Sequence, residues 1–325
     1  MYEGLVTVIG GSGFVGRHIV RALARKGYRV RVAVRRPDLA GHLQPLGGVG
    51  QIHAVQANVR YPKSVAEACE GADAVINLVG LLYESGQQSF DAIHVFGARA
   101  AAQAAADAGA GRMVQMSAIG ADAEADAQYA RTKAAGEQAV RDHFPDATIL
   151  RPSIVFGPED DFFNRFASMA RFSPAMPLVG GGGTRFQPVF VGDVAAAVCA
   201  VLERDETKGQ TYELGGPEVL SFRQVLEFIL STIERRRPLV PLPFGVAKVQ
   251  AAFLQLLPKP LLTIDQVTML QHDNVVGEAA ERDGRTLQGL GITPQAVEAI
   301  VPEYLERFRK AGQFHRPHST EDNSS

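Results

Sequence analysis

Gly10-Gly11-Ser12-Gly13-Phe14-Val15-Gly16 follows a short apolar run, residues 5–9, and opens a helical pattern over residues 15–26. Strand, glycine turn and helix in that order are what a dinucleotide-binding βαβ unit requires. Glycine at 10 permits the tight turn, glycine at 13 lets the backbone approach a pyrophosphate, and glycine at 16 lets the helix pack close to the sheet. The helix N-terminus adds unpaired N–H donors for the phosphates. The whole stretch, Ser12, Phe14 and Val15 included, is therefore expected to line a nucleotide.

Outward from this loop the first half alternates apolar runs with helical patterns. Strands are predicted at residues 5–9, 29–34, 52–56, 74–78, 112–116 and 148–150, and helices at 15–26, 63–70, 90–108 and 127–143. Short apolar strands alternating with helices predict an α/β fold: a Rossmann-type, doubly wound parallel sheet covered on both faces. Ligands then bind beyond the carboxyl ends of the strands. By position, Asn58 and Val59 after the third strand, Leu78, Val79 and Gly80 after the fourth, and Pro152 and Ile154 after the sixth join the expected cofactor contacts.

The end of the second strand chooses between cofactors. An acid there accepts hydrogen bonds from the ribose hydroxyls of NAD, whereas a base pairs with the 2′-phosphate of NADP. This chain has Val34-Arg35-Arg36-Pro37, with no acid before Asp38. The guanidinium fork suits phosphate oxygens, so Arg35 and Arg36 predict NADP(H).

Ser117 closes the fifth strand, and Tyr129-Ala130-Arg131-Thr132-Lys133 lies on the helix that follows. Tyrosine and lysine four apart share a helix face. A nearby ammonium favours the phenolate, lowering a phenol pKa from about 10 towards neutrality. Ser117 is expected to hydrogen-bond a substrate carbonyl, with Tyr129 and Lys133 as proton donor and partner. Tyr129 and Lys133 are also expected to touch the cofactor.

Glycine loop, serine at a strand end, then tyrosine and lysine on the next helix resembles the short-chain dehydrogenase/reductase superfamily, in its extended or atypical branch, over roughly residues 4–310. Asn77-Leu78-Val79-Gly80, Arg151-Pro152-Ser153-Ile154-Val155-Phe156-Gly157-Pro158 and the segment from Arg185 to Ala195 carry the same likeness. Val75–Gly80, Gly157–Phe166 and Pro302-Glu303-Tyr304-Leu305 are similar to one subgroup, that of the nucleotide-binding accessory subunit of respiratory complex I (alpha-subcomplex subunit nine) and its bacterial relatives. That resemblance implies a tightly held NADPH and a place beside quinone chemistry, with a structural rather than a turnover role. A coenzyme-Q biosynthesis protein belongs to the same wider group. His94 stands where many superfamily members carry an asparagine that holds a relay water, and a histidine there is able to relay protons itself. Ala118-Ile119-Gly120 after Ser117 departs from the sugar-epimerase pattern.

The leading expectation is an NADP(H)-holding protein of the complex I accessory type, supporting a quinone-linked respiratory assembly. The alternative is an active NADPH-dependent oxidoreductase on an apolar carbonyl or quinone-related substrate, with quinone-biosynthesis proteins as partners. Whether it turns over is left open.

A formal charge of −2 on 325 residues excludes an electrostatic case for nucleic acid. Arg235-Arg236-Arg237 is the densest basic run and fits a solvated helix end. Cys69 and Cys199 lack metal-ligand spacing and fit buried small residues, so no metal is expected. The run at 5–9 is too short for a secretory signal core and no Arg-rich presequence is seen, which predicts a cytoplasmic protein; the family resemblance adds the expectation of a peripheral place on the cytoplasmic face of the inner membrane.

The chain divides at residue 152 into an NADP(H)-binding domain, its sheet completed by later segments, and a smaller lobe over 153–314. A disordered tail is expected at 315–325. Within the lobe, residues 244–257 place Val246, Val249, Phe253, Leu256 and Leu257 on one helical face between Pro243 and Pro258. Such a stripe is usually core. Its breadth also suits docking on a membrane-proximal partner.

Overall fold

The computed structural model describes residues 4–255, 257, 260 and 262–310. The expected tail at 315–325 lies outside them, as do Leu256 and Pro258. The first half contains β1 (Leu5–Ile9), α1 (Phe14–Arg25), β2 (Arg29–Val34), β3 (Ile52–Gln56), α2 (Pro62–Cys69), β4 (Ala74–Asn77), α3 (Gly97–Asp107), β5 (Arg112–Met116), α4 (Gln128–His143) and β6 (Thr148–Pro152). Then follow β7 (Val155–Phe156), α5 (Phe163–Phe172), β8 (Met176–Val179), β9 (Arg185–Phe186), β10 (Val189–Phe190), α6 (Val191–Glu203), β11 (Thr211–Leu214), β12 (Leu220–Ser221), α7 (Phe222–Thr232), β13 (Leu239–Leu242) and α8 (Phe244–Leu254). The last helices are α9 (Ile264–Met269), α10 (Glu278–Arg282) and α11 (Val297–Leu305).

One sheet runs β11-β6-β5-β4-β1-β2-β3, with every neighbouring pair parallel. The strand order reverses between β1 and β4, which opens the crevice in which such sheets bind ligands. Side chains alternate across it. Val6 and Val8 of β1, Ile76 of β4 and Val114 of β5 pack with Ile19, Val20 and Leu23 of α1 and Val194, Val198 and Val201 of α6. Ile9, Val75 and Met113 point the other way, into Val65 of α2, Ala101, Ala104 and Ala105 of α3 and Val140 of α4. That period of two, with both faces covered, is why the strands are largely apolar, with Thr7, Asn77 and Gln115 as buried polar exceptions. Although β11 and α6 come late in the chain, both belong to the sheet unit. Cys69 and Cys199 are buried, which pushes both thiols up to about 11.

A second core is built by α5, α7, α8, α9, α11 and their short strands. The phenylalanine-rich segment is part of it: Phe163 and Phe166 meet Phe156 and Phe222 edge-to-face, Phe162 packs at a tilt on Phe186, and Phe172 is exposed. The stripe on α8 corrects the core expectation. Ala247 and Ala251 bring the helix close to the lobe, and the bulky residues lie outside, with Val246, Val249, Phe253 and Leu257 exposed at 48%, 61%, 71% and 47%. Among the described residues, no helix is long and apolar enough to cross a membrane.

Candidate functional site

The glycine loop is shaped for an anion. Gly10 has φ +82°, a conformation costly for any residue with a Cβ. At Gly16 a Cβ would fall 2.6 Å from the backbone of Gly11, so only glycine lets α1 start this close to the turn. A Cβ at Gly13 would meet only the Gly10 oxygen, at 3.5 Å, leaving that side open. No side chain caps α1 and its first turn holds no acid, so the uncapped N–H groups and the positive dipole end face the crevice uncompensated. Phe14 packs where a Cβ on Gly157 would come within 3.3 Å of its ring. These features fit a dinucleotide pyrophosphate.

At the end of β2, Arg35 and Arg36 are exposed. Arg36 pairs with Asp38 at 2.8 Å, and the Arg35 Nη1 donates to Gln88 Oε1 at 2.8 Å. Beyond β3, Asn58 holds a turn by accepting the Arg60 N–H at 3.1 Å, and Val59 is buried against Gly97. Beyond β4, Asn77 Oδ1 accepts the Val79 N–H at 3.2 Å, which curls Leu78, Val79 and Gly80 around the crevice. Beyond β6, the Pro152 carbonyl accepts the Ile119 N–H and the Ile154 carbonyl accepts the Val189 N–H. Arg35, Leu78–Gly80 and the glycine loop thus converge on one edge, whereas Val59 serves the packing beneath it.

Tyr129 and Lys133 come together as the helix spacing predicts: the Lys133 ammonium lies 5.7 Å from the Tyr129 ring centre. It also sits where a Cβ on Gly80 would come within 3.2 Å of it. The phenolate expectation does not hold. Burial and the Asp265 carboxylate push the Tyr129 phenol up to about 12, and burial lowers Lys133 to about 8 against the opposing Glu137. Near neutrality the pair is a neutral phenol beside an ammonium, suited to giving a proton rather than taking one.

His94 is locked. Its Nε2 accepts the Leu81 N–H at 3.0 Å, so its Nδ1–H donates to Thr132 Oγ1, also at 3.0 Å. The Thr132 hydroxyl then donates to the Gln128 carbonyl at 2.9 Å. Burial, aided by Lys133, lowers the imidazole to about 3. With both nitrogens committed it is a brace, and the relay expected of it is not available in this arrangement. Residues 90–108 are accordingly not one α-helix: a π-helical turn, Asp91–Phe96, precedes α3. It carries the His94 carbonyl to Gly136 of α4, where a Cβ would stand 2.0 Å from that oxygen.

The Ser117 hydroxyl is already engaged within the protein. It donates to Glu137 Oε1 at 2.5 Å, and Arg151 grips the same carboxylate at 2.9 and 2.7 Å. Arg151 also approaches Glu213 at 3.7 Å. Sequence reasoning missed Glu137, although it lies four residues after Lys133 on the same face. It also missed Asp265 of α9, whose carboxylate accepts the N–H groups of Gln128 and Tyr129 at 2.7 and 3.1 Å, capping α4 from the other lobe. Nothing local marks that contact. Tyr304 donates to the buried Asp160 at 2.5 Å, joining two of the segments singled out for the subgroup resemblance.

Comparison with known proteins agrees with this geometry. The signature of the NAD dependent epimerase/dehydratase family matches residues 6–215. NADH dehydrogenase [ubiquinone] 1 alpha subcomplex subunit 9, mitochondrial, of Arabidopsis thaliana is 36% identical over 320 residues, covering 95% of this chain and 79% of that protein. A ceramide reductase of Caulobacter vibrioides is 36% identical over 198 residues, 61% of each chain. The solved structure of gox2253 superposes with a TM-score of 0.71 at 21% identity, covering 95% of this chain and 99% of that one, which shows the fold. The chain belongs to the NAD dependent epimerase/dehydratase family, and within it to the group of the alpha subcomplex subunit 9 proteins.

Proposed function

We propose that this chain holds NADP(H) as a resident group and supports a quinone-linked respiratory assembly, in the manner its subunit 9 relatives' name suggests, from a peripheral position on the cytoplasmic face of the membrane. One contrast carries the reading. The phosphate cradle from Gly10 to Gly16 is open and uncapped, while Ser117 and His94 are both tied into the scaffold. The cradle is free to bind, whereas two groups that turnover would call on are engaged elsewhere.

The loop N–H groups would take the pyrophosphate and Arg35 and Arg36 the 2′-phosphate, with Arg36 exchanging Asp38 for the phosphate. Lys133, beside Gly80, would reach the nicotinamide ribose. When bound, NADPH supplies a hydride donor. Tyr129 places a neutral phenol next to Lys133, which favours a second reading, an NADPH-dependent reductase of an apolar carbonyl compound. The ceramide reductase relative points the same way, and quinone-biosynthesis proteins would then be the partners.

Extraction of the protein from its native membranes, with identification of the nucleotide and of the proteins recovered, tests the first reading. NADP(H) with respiratory-complex subunits is the expected result. A nucleotide-free homomer would refute it. Turnover of a ketone that disappears in Tyr129→Phe, with NADPH binding retained, would establish the second.

A further inference from the structure

The exposed side of α8 adjoins a basic cleft. Val246, Val249 and Phe253, spaced by three and four, and Leu257 beyond the helix end present an apolar face unpartnered among the described residues, extended by Val240 of β13 at 50% exposure. Among the described residues the cleft is lined by Arg223, Arg235, Arg236, Arg237 and a single acid, Glu227, which reaches Arg223 only at 3.9 Å. Arg235 and Arg237 are anchored through Nε to the carbonyls of Phe308 and Ala170 at 3.3 and 3.0 Å, which leaves their terminal nitrogens for other partners. None of Arg235, Arg236 and Arg237 is ion-paired among the described residues. One turn joins the two features: a Cβ on Gly180 would strike the ring of Phe244, at the start of α8, and one on Gly182 would lie 3.0 Å from Cβ of Arg223.

We propose that this face docks on an anionic phospholipid bilayer, with the α8 side chains in the interfacial layer and the arginine cleft against lipid phosphates. Charge selects the occupant. An apolar protein surface would satisfy α8 and leave the guanidinium groups facing nothing, whereas an anionic bilayer offers acyl chains and phosphates side by side. The arginines therefore do more than cover a solvated helix end. The inference deepens the peripheral placement proposed above and names the surface responsible.

The test is co-sedimentation of the full chain with vesicles of phosphatidylcholine alone and of phosphatidylcholine with phosphatidylglycerol. Binding is expected only to the anionic vesicles, and should weaken with salt. Arg236→Glu, at an exposed position, should weaken it roughly thirtyfold, for two charges at about 1 kcal/mol each. Phe253→Ser should weaken it about tenfold or more through lost apolar burial. Melting temperature and NADP(H) affinity, followed in the same samples, should stay at wild-type values in both variants. Equal binding to both vesicle types, failure to bind either, or variants that bind like wild type would each overturn the proposal. Vesicle binding by a wild-type chain that takes up no NADP(H) would uphold it and refute the nucleotide reading alone.

Discussion

Acidification should weaken the fold through His94, and the amount follows from its hydrogen bonds. The imidazole is neutral in the folded chain, accepting from Leu81 and donating to Thr132, and burial lowers its pKa from 6.5 to about 3. Protonation would turn the acceptor nitrogen into a second donor facing the Leu81 N–H, in a buried site beside the Lys133 ammonium. The unfolded chain binds its proton near pH 6.5 and the folded chain does not, so the unfolded state gains between about 6.5 and 3. The stability attached to this group is therefore complete above the unfolded value and declines as pH falls below it. At pH 5 the loss is about 2 kcal/mol, from one and a half pH units at about 1.4 kcal/mol each. Urea unfolding of wild type and His94→Asn at pH 7, 6 and 5 measures it. The variant starts lower, by about 1 kcal/mol for a lost hydrogen bond, and should fall less steeply, so that the two curves cross between pH 6 and 5. Parallel curves would show that His94 titrates normally and that the brace does not exist.

Gly136→Ala would place a methyl group 2.0 Å from the His94 oxygen. The overpacking cost of about 1–3 kcal/mol should exceed the roughly 1 kcal/mol that alanine gains in a helix, and a raised melting temperature would contradict the contact. Raising pH through about 8 should weaken NADP(H) binding as Lys133 loses its charge, and Lys133→Met should bind weakly with no such pH dependence by titration calorimetry. Replacing Arg35 and Arg36 together by Asp should abolish a preference for NADPH over NADH measured by fluorescence; unmodified protein with equal affinities would remove the 2′-phosphate assignment.

The fold was legible because its signals are local. β1, β2, β3 and β5 have the bounds that the apolar runs predict, since a strand covered on both faces is apolar at most of its positions. The glycine turn was equally plain: Gly10 needs its positive φ, and Gly16 its missing Cβ, for reasons that act within seven residues. Helix α8 shows where this stops. Periodicity found its apolar face but not which side the lobe would cover, and the buried side proved to be two alanines too small to register in the pattern.

The site was legible as a pair and not as a constellation. The spacing of Tyr129 and Lys133 fixes their shared face, but what each does depends on groups that α4 meets only after folding. Asp265 lies more than a hundred residues away, yet it caps the helix and opposes the phenolate that the lysine alone would favour. Ser117 has a strand-end position any substrate-facing serine would occupy, and Glu137 with Arg151 takes its hydroxyl instead. Glu137 also opposes the lowering of Lys133, so one carboxylate keeps the ammonium charged and withholds the serine. Those two effects have the same consequence. A charged lysine suits a bound nucleotide and a serine already bonded to Glu137 is less free for a substrate, and it is on these two engagements that the proposed retention of a cofactor rests.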